Sequence, residues 1–407
     1  MAYQEKLFKE WKNLLFSGWE LMAKRKIFYI NNFTGVGLGG GEKHLITLAQ
    51  SAKRLGYDVG VLCVPGSSVE TAFRNLGIEV FPVNLRGFNL VASILAVKQI
   101  LKKNNVDIIH SHGFLSNNIG RLSAKLAKTS IVVSTVHCNP DSPLSFNPGF
   151  VKSIVQCVRN KVDNFTAKFT DVVVAVSEDI KRGLIEQGVP KEKIEVIHNG
   201  ILFKELNEAV KNSISFDLGI KRGEKIVGFL GRLELVKGID YFIEAAEIVK
   251  SKFNNIKFVI AGDGSIKEQL IKKVEEKSLT KDFIFTGYVE SSLSLISKFD
   301  VFVLPSLSEG LNFSLVEALA LSRAVVATNV GGNSEVVLDG ETGLLVPPKD
   351  SRALADAIIY LLTHKEEAKS YALAGKKLVE EEYTAEKMIK KTLALYDDLL
   401  NEEFNLG

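Results

Sequence analysis

The sequence predicts an α/β protein of two Rossmann-like, doubly wound parallel-sheet domains facing across a cleft. Three observations predict it. Short β-branched runs alternate with helical stretches from Lys26 onward, the order of a parallel sheet covered on both faces. The alternation breaks at Asn199-Gly200 and resumes at Lys225. Each half carries a distinctive loop after its first strand: Gly35-Val36-Gly37-Leu38-Gly39-Gly40-Gly41 in one, and Gly231-Arg232-Leu233-Glu234-Leu235-Val236-Lys237-Gly238 in the other.

The totals fit this architecture. A chain of 407 residues suggests roughly two to three domains, each able to bury a core. It is 46% hydrophobic and 24% charged, with a net charge of +3. That composition is ordinary for a soluble globular protein, and the charge is too small and too scattered for nucleic-acid binding. Cys63, Cys138 and Cys157 are an odd, unpaired set, which points to a reducing, cytoplasmic setting. The absence of Cys-x-x-Cys and His-Glu-x-x-His argues against zinc of the usual kinds. No apolar run reaches the roughly 20 residues that span a bilayer.

Taken in order, residues 1–25 read as an amphipathic helix. Leu7, Trp11, Leu14, Leu15 and Met22 share a face opposite Lys9, Asn13 and Glu20. It either packs on the body or rests on a membrane surface through residues 1–22. Residues 26–200 form the first domain, with strands at Lys26–Asn31, Val59–Val64, Ile78–Val83, Val106–His110, Ile131–Val136, Asp171–Val176 and Ile194–Ile197. Residues 201–222 read as a linker. Residues 223–385 form the second domain, with strands at Lys225–Leu230, Asn255–Ala261, Phe283–Thr286, Asp300–Leu304, Ala324–Ala327 and Gly343–Val346. A final helix, 386–407, is expected to cross back to the first domain.

The most informative run follows the strand Asp300–Leu304. Pro305 to Ala320 places Glu309 in a loop and Glu317, eight residues on, in the next helix. In open α/β sheets ligands bind at the strands' C-terminal ends, with anions favoured at helix N-termini. Free N–H groups of Phe313, Ser314, Leu315 and Val316 suit a phosphate, and the carboxylates suit hydroxyls beside it. That is the outline of a sugar joined to a nucleotide. Ser314-x-x-Glu317 also reads as a capping box, which needs no ligand.

Other sites add to this reading. The glycine loop matches the Gly-x-Gly-x-x-Gly dinucleotide fingerprint, which keeps an NAD(P)-dependent dehydrogenase as an alternative. The acid expected at the end of the second strand is missing, because Val64-Pro65-Gly66 stands there. Arg232 and Lys237 suit a diphosphate, one as a fork and one as a point charge. Ala261-Gly262-Asp263-Gly264 reads as a tight turn. Thr286-Gly287-Tyr288-Val289 could lie beside a flat base. Glu335, in Val330–Glu335, is expected to cap or pair locally. His110 and His112 flank Ser111 just after a strand. His137 ends another strand and could exchange a proton near neutral pH. His44 and His364 fall on helices without a signal, and His198 falls at the hinge. No Asp-x-Asp occurs, so Arg232, Lys237 and helix N-termini would replace a metal on the diphosphate.

Together these motifs resemble those of the retaining glycosyltransferases of family 4, the group-1 glycosyl transferases, which have the GT-B fold. The resemblance runs from about Lys26 to Leu400. Glu309-x7-Glu317 is its strongest mark. Gly-Gly-Gly-Glu at 39–42, Val-His-Cys at 136–138, Val-Ser-Glu at 176–178 and His-Asn-Gly at 198–200 support it. So do Gly-Arg…Lys-Gly at 231–238, Gly-Asp-Gly at 262–264 and Gly-Gly-x-x-Glu at 331–335. The resemblance implies transfer of a sugar from a nucleotide donor, UDP- or GDP-linked, to an acceptor hydroxyl. Configuration would be retained, and no cofactor or metal would be needed. The acceptor would be a saccharide or lipid-linked saccharide, as in glycan, capsule or lipopolysaccharide synthesis. It also implies roles. Arg232 and Lys237 would hold the diphosphate, Glu317 the ribose, and Glu309 the donor sugar. Tyr288, Val289, Asn312, Phe313, Ser314 and Leu315 would line the donor site. Gly39, Gly40 and Gly41 would border the phosphates. Gly40, His112 and His137 would meet the acceptor, with His137 also near the reacting carbon. Asn312 departs from the Glu-Gly-Phe-Gly of many members. A sugar-nucleotide epimerase of the same architecture is the nearest alternative.

Overall fold

The computed structural model describes residues 25–34, 37–85, 89–138, 150–203, 206, 218–221 and 223–406, with backbone alone for 150–156 and 403–406. The expected helix at residues 1–22, most of the linker, Gly35 and Val36 lie outside the described residues.

The chain forms two parallel sheets. The first has seven strands in the order β3-β2-β1-β4-β5-β6-β7. They are β1 (Lys26–Asn31), β2 (Asp58–Cys63), β3 (Glu79–Pro82), β4 (Ile108–His112), β5 (Ile131–Val136), β6 (Val172–Ala175) and β7 (Ile194–Val196). The second has six in the order β10-β9-β8-β11-β12-β13. They are β8 (Lys225–Leu230), β9 (Ile256–Ala261), β10 (Phe283–Gly287), β11 (Val301–Leu304), β12 (Ala324–Thr328) and β13 (Leu344–Val346). The central strands are buried on both faces; all five residues of β4 and all six of β5 are buried, as helices on either side require.

Register shows where the ligand crevices lie. β1 pairs with both β2 and β4, and β8 with both β9 and β11. The winding reverses at β1/β4 and β8/β11, and ligands collect outside the carboxyl ends of strands at such points. The glycine loop leaves β1, Arg232 and Lys237 follow β8, and Glu309 follows β11. All three sit at the expected crevices.

β4 begins two residues later than its apolar run suggests. Asp107 is occupied in tying the start of β4 to the start of β1: its Oδ1 accepts from Arg25 Nη1 at 3.1 Å and its Oδ2 from the Lys26 amide at 2.7 Å. His110, Ser111 and His112 consequently lie within the strand rather than after it.

Two crossings join the halves, and they run side by side. The Ile201 amide donates to Tyr383 O, and the Ala385 amide donates to Ile201 O. Gly200 permits this contact, since a Cβ there would lie 2.1 Å from Thr384 O. The last helix, Ala385–Leu406, then packs on the first domain. Met388, Ile389, Leu393, Tyr396 and Leu400 share a core with Ile27, Tyr29, Leu45 and Val61.

Candidate active site

The site is best built from the loop after β11. The helix Phe313–Ala320 is capped by Asn312, whose Oδ1 accepts from the Leu315 amide at 3.1 Å. Ser314 therefore lies inside the first turn, and the Ser314–Glu317 capping box does not form. Fewer amides are available than expected. Leu315 N goes to Asn312 Oδ1 and Val316 N to Asn312 O. Among the expected four, only Phe313 and Ser314 have no bond within the cap.

Asn312 has a second task. Its Nδ2 donates to Glu309 Oε1 at 3.0 Å. The same oxygen accepts from Ser306 Oγ at 2.6 Å and Lys237 Nζ at 2.7 Å. Both partners of the ion pair are well buried, with side-chain exposures of 12% for Lys237 and 7% for Glu309. Three donors on one carboxylate oxygen fix the side chain and leave Oε2 outside these bonds.

Glycines make the approach possible. Gly238 has φ +60°, and a Cβ there would lie 2.2 Å from Pro305 O. The Leu307 amide donates to Val236 O at 2.7 Å, so the β8 and β11 loops lock and Lys237 meets Glu309. Gly262, with φ +132°, and Gly264 lie against Gly231 O and Leu233 O. The Gly-Asp-Gly turn thus braces the Arg232 loop. Arg232 itself is exposed, and its charge reaches Glu42 across the cleft.

Glu317 has a different partner. It is 6% exposed and accepts from Lys43 Nζ at 3.1 Å. Lys43 belongs to the first-domain helix Gly40–Arg54, so this ion pair crosses the cleft. Lys43, Thr47, Ser292, Leu293, Phe313 and Glu317 line part of a cavity of about 270 Å³.

The glycine loop is shaped chiefly by the second domain. A Cβ on Gly37 would lie 2.3 Å from the Tyr288 ring, and one on Gly40 would lie 2.5 Å from Phe313 Cδ2. Glu42 closes the turn by accepting from the Gly39 amide at 3.1 Å, and Gly41 rests on the His137 ring. Tyr288 remains half-exposed, and Val289 packs against the second-domain core. The loop after β11 also touches the first domain, because a Cβ on Gly310 would lie 2.1 Å from His137 O.

His137 and His112 are joined directly, with Nε2 and Nδ1 3.2 Å apart. Burial, followed by the neighbouring histidines, holds both well below the ordinary imidazole range. That shift runs against the near-neutral proton exchange expected of His137. Two further expectations are corrected. His44 is buried beside these rings, with its centroid 5.0 Å from that of His137. Glu335 does not pair locally: it accepts from the Glu178 and Asp179 amides, capping a first-domain helix, and from His198 Nε2 at 2.8 Å.

The structure thus brings together Lys237, Glu309 and Asn312; Gly37 with Tyr288; Gly40 with Phe313; and His112 with His137. Glu309 and Glu317 keep separate partners. Lys43 and Ser306 were missed by sequence reasoning. Lys43 follows Gly-Gly-Gly-Glu in a helix's first turn, a position that could have signalled it; nothing marked Ser306.

Two parallel-sheet domains whose crevices face one another, with the buried Lys237–Glu309 pair in one and the Lys43–Glu317 pair crossing between them, have the architecture of the GT-B class. Comparison with known proteins agrees. The model for glycosyl transferases group 1 matches residues 210–378, and that for glycosyltransferase family 4 matches residues 38–202. The chain belongs to the family 4 glycosyltransferases. It is 28% identical over 322 residues to the Escherichia coli UDP-Gal:alpha-D-GlcNAc-diphosphoundecaprenol alpha-1,3-galactosyltransferase, covering 76% of this chain and 81% of that one. It is 26% identical to a Staphylococcus aureus capsular polysaccharide biosynthesis glycosyltransferase, covering 88% and 97%. The Anabaena protein HepE, solved with UDP and glucose, superposes with a TM-score of 0.79 at 20% identity, covering 92% of this chain and all of that one. Among the described residues, no helix is long and apolar enough to cross a membrane.

Proposed function

We infer that the protein transfers a sugar from a nucleotide-sugar donor, UDP- or GDP-linked, to a hydroxyl of a saccharide or lipid-linked saccharide. The transfer retains configuration and requires no metal ion. The observation that carries this reading is the cluster on Glu309. Lys237, Ser306 and Asn312 hold one oxygen of its carboxylate at the β8/β11 crevice, where a donor sugar and diphosphate would meet. Lys237 and the exposed Arg232 would neutralise the leaving diphosphate, aided by the Phe313 and Ser314 amides. Glu317, at the cavity, would hold the ribose, with Leu315, Tyr288 and Val289 nearby for the nucleoside. Gly39 to Gly41, His112 and His137 form the opposite wall, where the acceptor would enter. Neutral His137 would serve as a hydrogen-bonding group beside the sugar.

Charge on the departing diphosphate grows in the transition state, so its neutralisation is the largest catalytic contribution. Domain contact over the site would exclude water and limit hydrolysis. The relatives support the donor class: HepE has been solved with UDP-glucose, and the E. coli relative is named for UDP-Gal and a lipid diphosphate acceptor. Capsule synthesis in the S. aureus relative's name supports a cell-surface glycan. A cytoplasmic site, with residues 1–22 touching a membrane, is compatible with such an acceptor. The dehydrogenase alternative is not favoured, because Tyr288 and Phe313 fill the space over Gly37 and Gly40 that a dinucleotide would need. The epimerase alternative is not favoured by the relatives.

The test is a donor screen. The full chain is offered several UDP- and GDP-sugars with and without lipid-linked saccharides, in EDTA, and nucleoside diphosphate release is followed. Product anomers are read by NMR. Release with one donor, stimulated by acceptor and indifferent to EDTA, is expected. Activity that returns only with Mn²⁺ or Mg²⁺ would overturn the metal-free reading, and an inverted product would overturn retention.

A further inference from the structure

The first-domain wall of the cleft holds three imidazoles at one point. His44 comes from the helix Gly40–Arg54, His112 ends β4, and His137 follows β5. One ring nitrogen from each lies within 4.8 Å of the other two. His44 and His112 are 2% and 1% exposed. His44 Nδ1 and His112 Nε2 have no hydrogen-bond partner among the described residues. Buried polar atoms are nearly always bonded, so two such orphans in one cluster need an explanation. A purely structural cluster would satisfy them, as happens one residue pair away. The His110 ring lies tilted against that of His112, with centroids 4.3 Å apart, yet uses both nitrogens, on Tyr396 Oη and Thr135 Oγ1.

We propose that His44, His112 and His137 form a binding site for a transition-metal ion of the Zn²⁺ type. Three imidazoles and no carboxylate select nitrogen-preferring ions over Mg²⁺, Ca²⁺ or Mn²⁺. Burial lowers His44 to about 4 and puts the other two well below the ordinary range. Each ring is neutral at pH 7 and offers one lone pair in either tautomer. Zinc–nitrogen bonds of about 2.0–2.1 Å need the nitrogens somewhat closer than the present limit. His112 Nδ1 and His137 Nε2 are hydrogen-bonded at 3.2 Å, and an ion held by both atoms would replace that bond. His137, the half-buried member, leaves a fourth position towards the cleft for water, as open zinc sites do. A neighbour suits the outer shell. Asn199 favours the protonated form of His44 and has a buried, unpartnered Oδ1 among the described residues. Metal-bound histidines commonly donate their other N–H to such a carbonyl.

The site has a consequence that rests on the transferase reading. An ion on His137 removes that ring from the donor sugar, so Zn²⁺ should inhibit transfer without weakening nucleoside diphosphate binding. This makes the site an inhibitory one, compatible with metal-free turnover.

The test uses the full chain and reads binding directly. Calorimetry with Zn²⁺ should show one tight ion per chain that is absent with Mg²⁺, and Co²⁺ should give the intense visible absorption of a tetrahedral site. Losing an outer-shell partner costs about 10–100-fold in affinity, so losing a ligand in His44→Gln should cost about 100-fold or more. His364→Gln, on a distant helix end, should bind as wild type does. Should His44→Gln not fold, heteronuclear nitrogen NMR of the wild type supplies the answer, because Zn²⁺ must shift the rings of His44, His112 and His137 and spare His364. Equal affinity in His44→Gln, unshifted rings, or no bound ion would overturn the site. Sugar transfer without ion binding would sink this proposal alone. Ion binding without inhibition establishes the site and counts against His137 as a sugar contact.

Discussion

β1 in the first sheet and β8 in the second occupy the same place in the winding, each beside the strand where the order reverses. Their following turns are chemically opposite. After β1 come glycines, a helix, and behind them neutral imidazoles. After β8 come Arg232 and Lys237, and beside them Glu309. One winding thus supplies a close-fitting wall of glycines and imidazoles, from which Lys43 reaches across, and a charged one. A crevice's location follows from topology, whereas its chemistry follows from the few residues the turns present. The same contrast governs buried acids. Glu309 in the second domain accepts three hydrogen bonds on one oxygen. Asp397, packed against the first domain, accepts one, from Tyr57 Oη at 3.1 Å, and its Oδ2 has no partner among the described residues.

The largest effect should follow from removing charge at the charged wall. If Glu309 meets the sugar, Glu309→Gln should lower transfer on the order of 100- to 1,000-fold, the cost of losing one positioned electrostatic group. Diphosphate binding should not weaken, because Lys237 loses its competitor. Lys237→Ala should reverse the pattern. A charge-assisted hydrogen bond contributes roughly 1.5–3 kcal/mol, or about 10- to 150-fold in diphosphate affinity. Calorimetry with the diphosphate beside a transfer assay separates the two. Unaltered diphosphate affinity in Lys237→Ala would mean that the charged turn is not the phosphate site.

Asp397 tests the other member of the contrast. Burial, opposed by the Tyr57 hydroxyl and assisted by Asp398, raises its carboxyl to about 7. The folded state therefore binds this proton more tightly than the unfolded chain does. Stability is lost as pH rises from about 4 towards 7, with each unit worth about 1.4 kcal/mol. Asparagine never ionises and keeps an acceptor for Tyr57. Asp397→Asn should match the wild type near pH 4 and exceed it by roughly 2–4 kcal/mol at pH 8. Denaturant titrations at both values check this; an equal difference at the two would show that ionisation is not the cause.

Much of the fold was legible because parallel strands buried on both faces read as continuous apolar runs. Strand ends were less so. β4 starts late because Asp107 bonds sideways to Arg25 and Lys26, 82 and 81 residues away in sequence, a partnership that no local pattern reveals. The residues of the charged wall were legible because they lie in short, strongly marked turns. What they bond to was not. Asn312 reads as a departure from a family pattern, yet it caps a helix and steadies Glu309 with one amide. His44 reads as an ordinary helical residue because its neighbours come from strands far along the chain. Glycines at 37 and 40 read as ligand-facing, but the atoms they admit belong to the opposite domain.

The smallest effect should come from the ion pair that joins the two walls. Lys43 and Lys237 each reach a buried glutamate, at 3.1 Å and 2.7 Å. They differ in exposure: the Lys43 side chain is 43% exposed and that of Lys237 only 12%. An exposed ammonium keeps most of its hydration, and salt screens it over about 10 Å at 0.1 M, so such pairs contribute roughly 0.2–1 kcal/mol. Lys43→Met preserves the aliphatic stem against the cavity and removes the charge. It should change diphosphate affinity less than about fivefold. It should also abolish whatever salt dependence the cross-cleft pair gives to domain contact, read by small-angle scattering across a salt series. Lys237→Ala measured in the same series should retain its large effect at every salt concentration. If Lys43→Met weakens diphosphate binding as much as Lys237→Ala does, burial is not what separates the two lysines. The first domain then contributes charge to the donor directly, and the division between a wall of glycines and imidazoles and a charged wall fails.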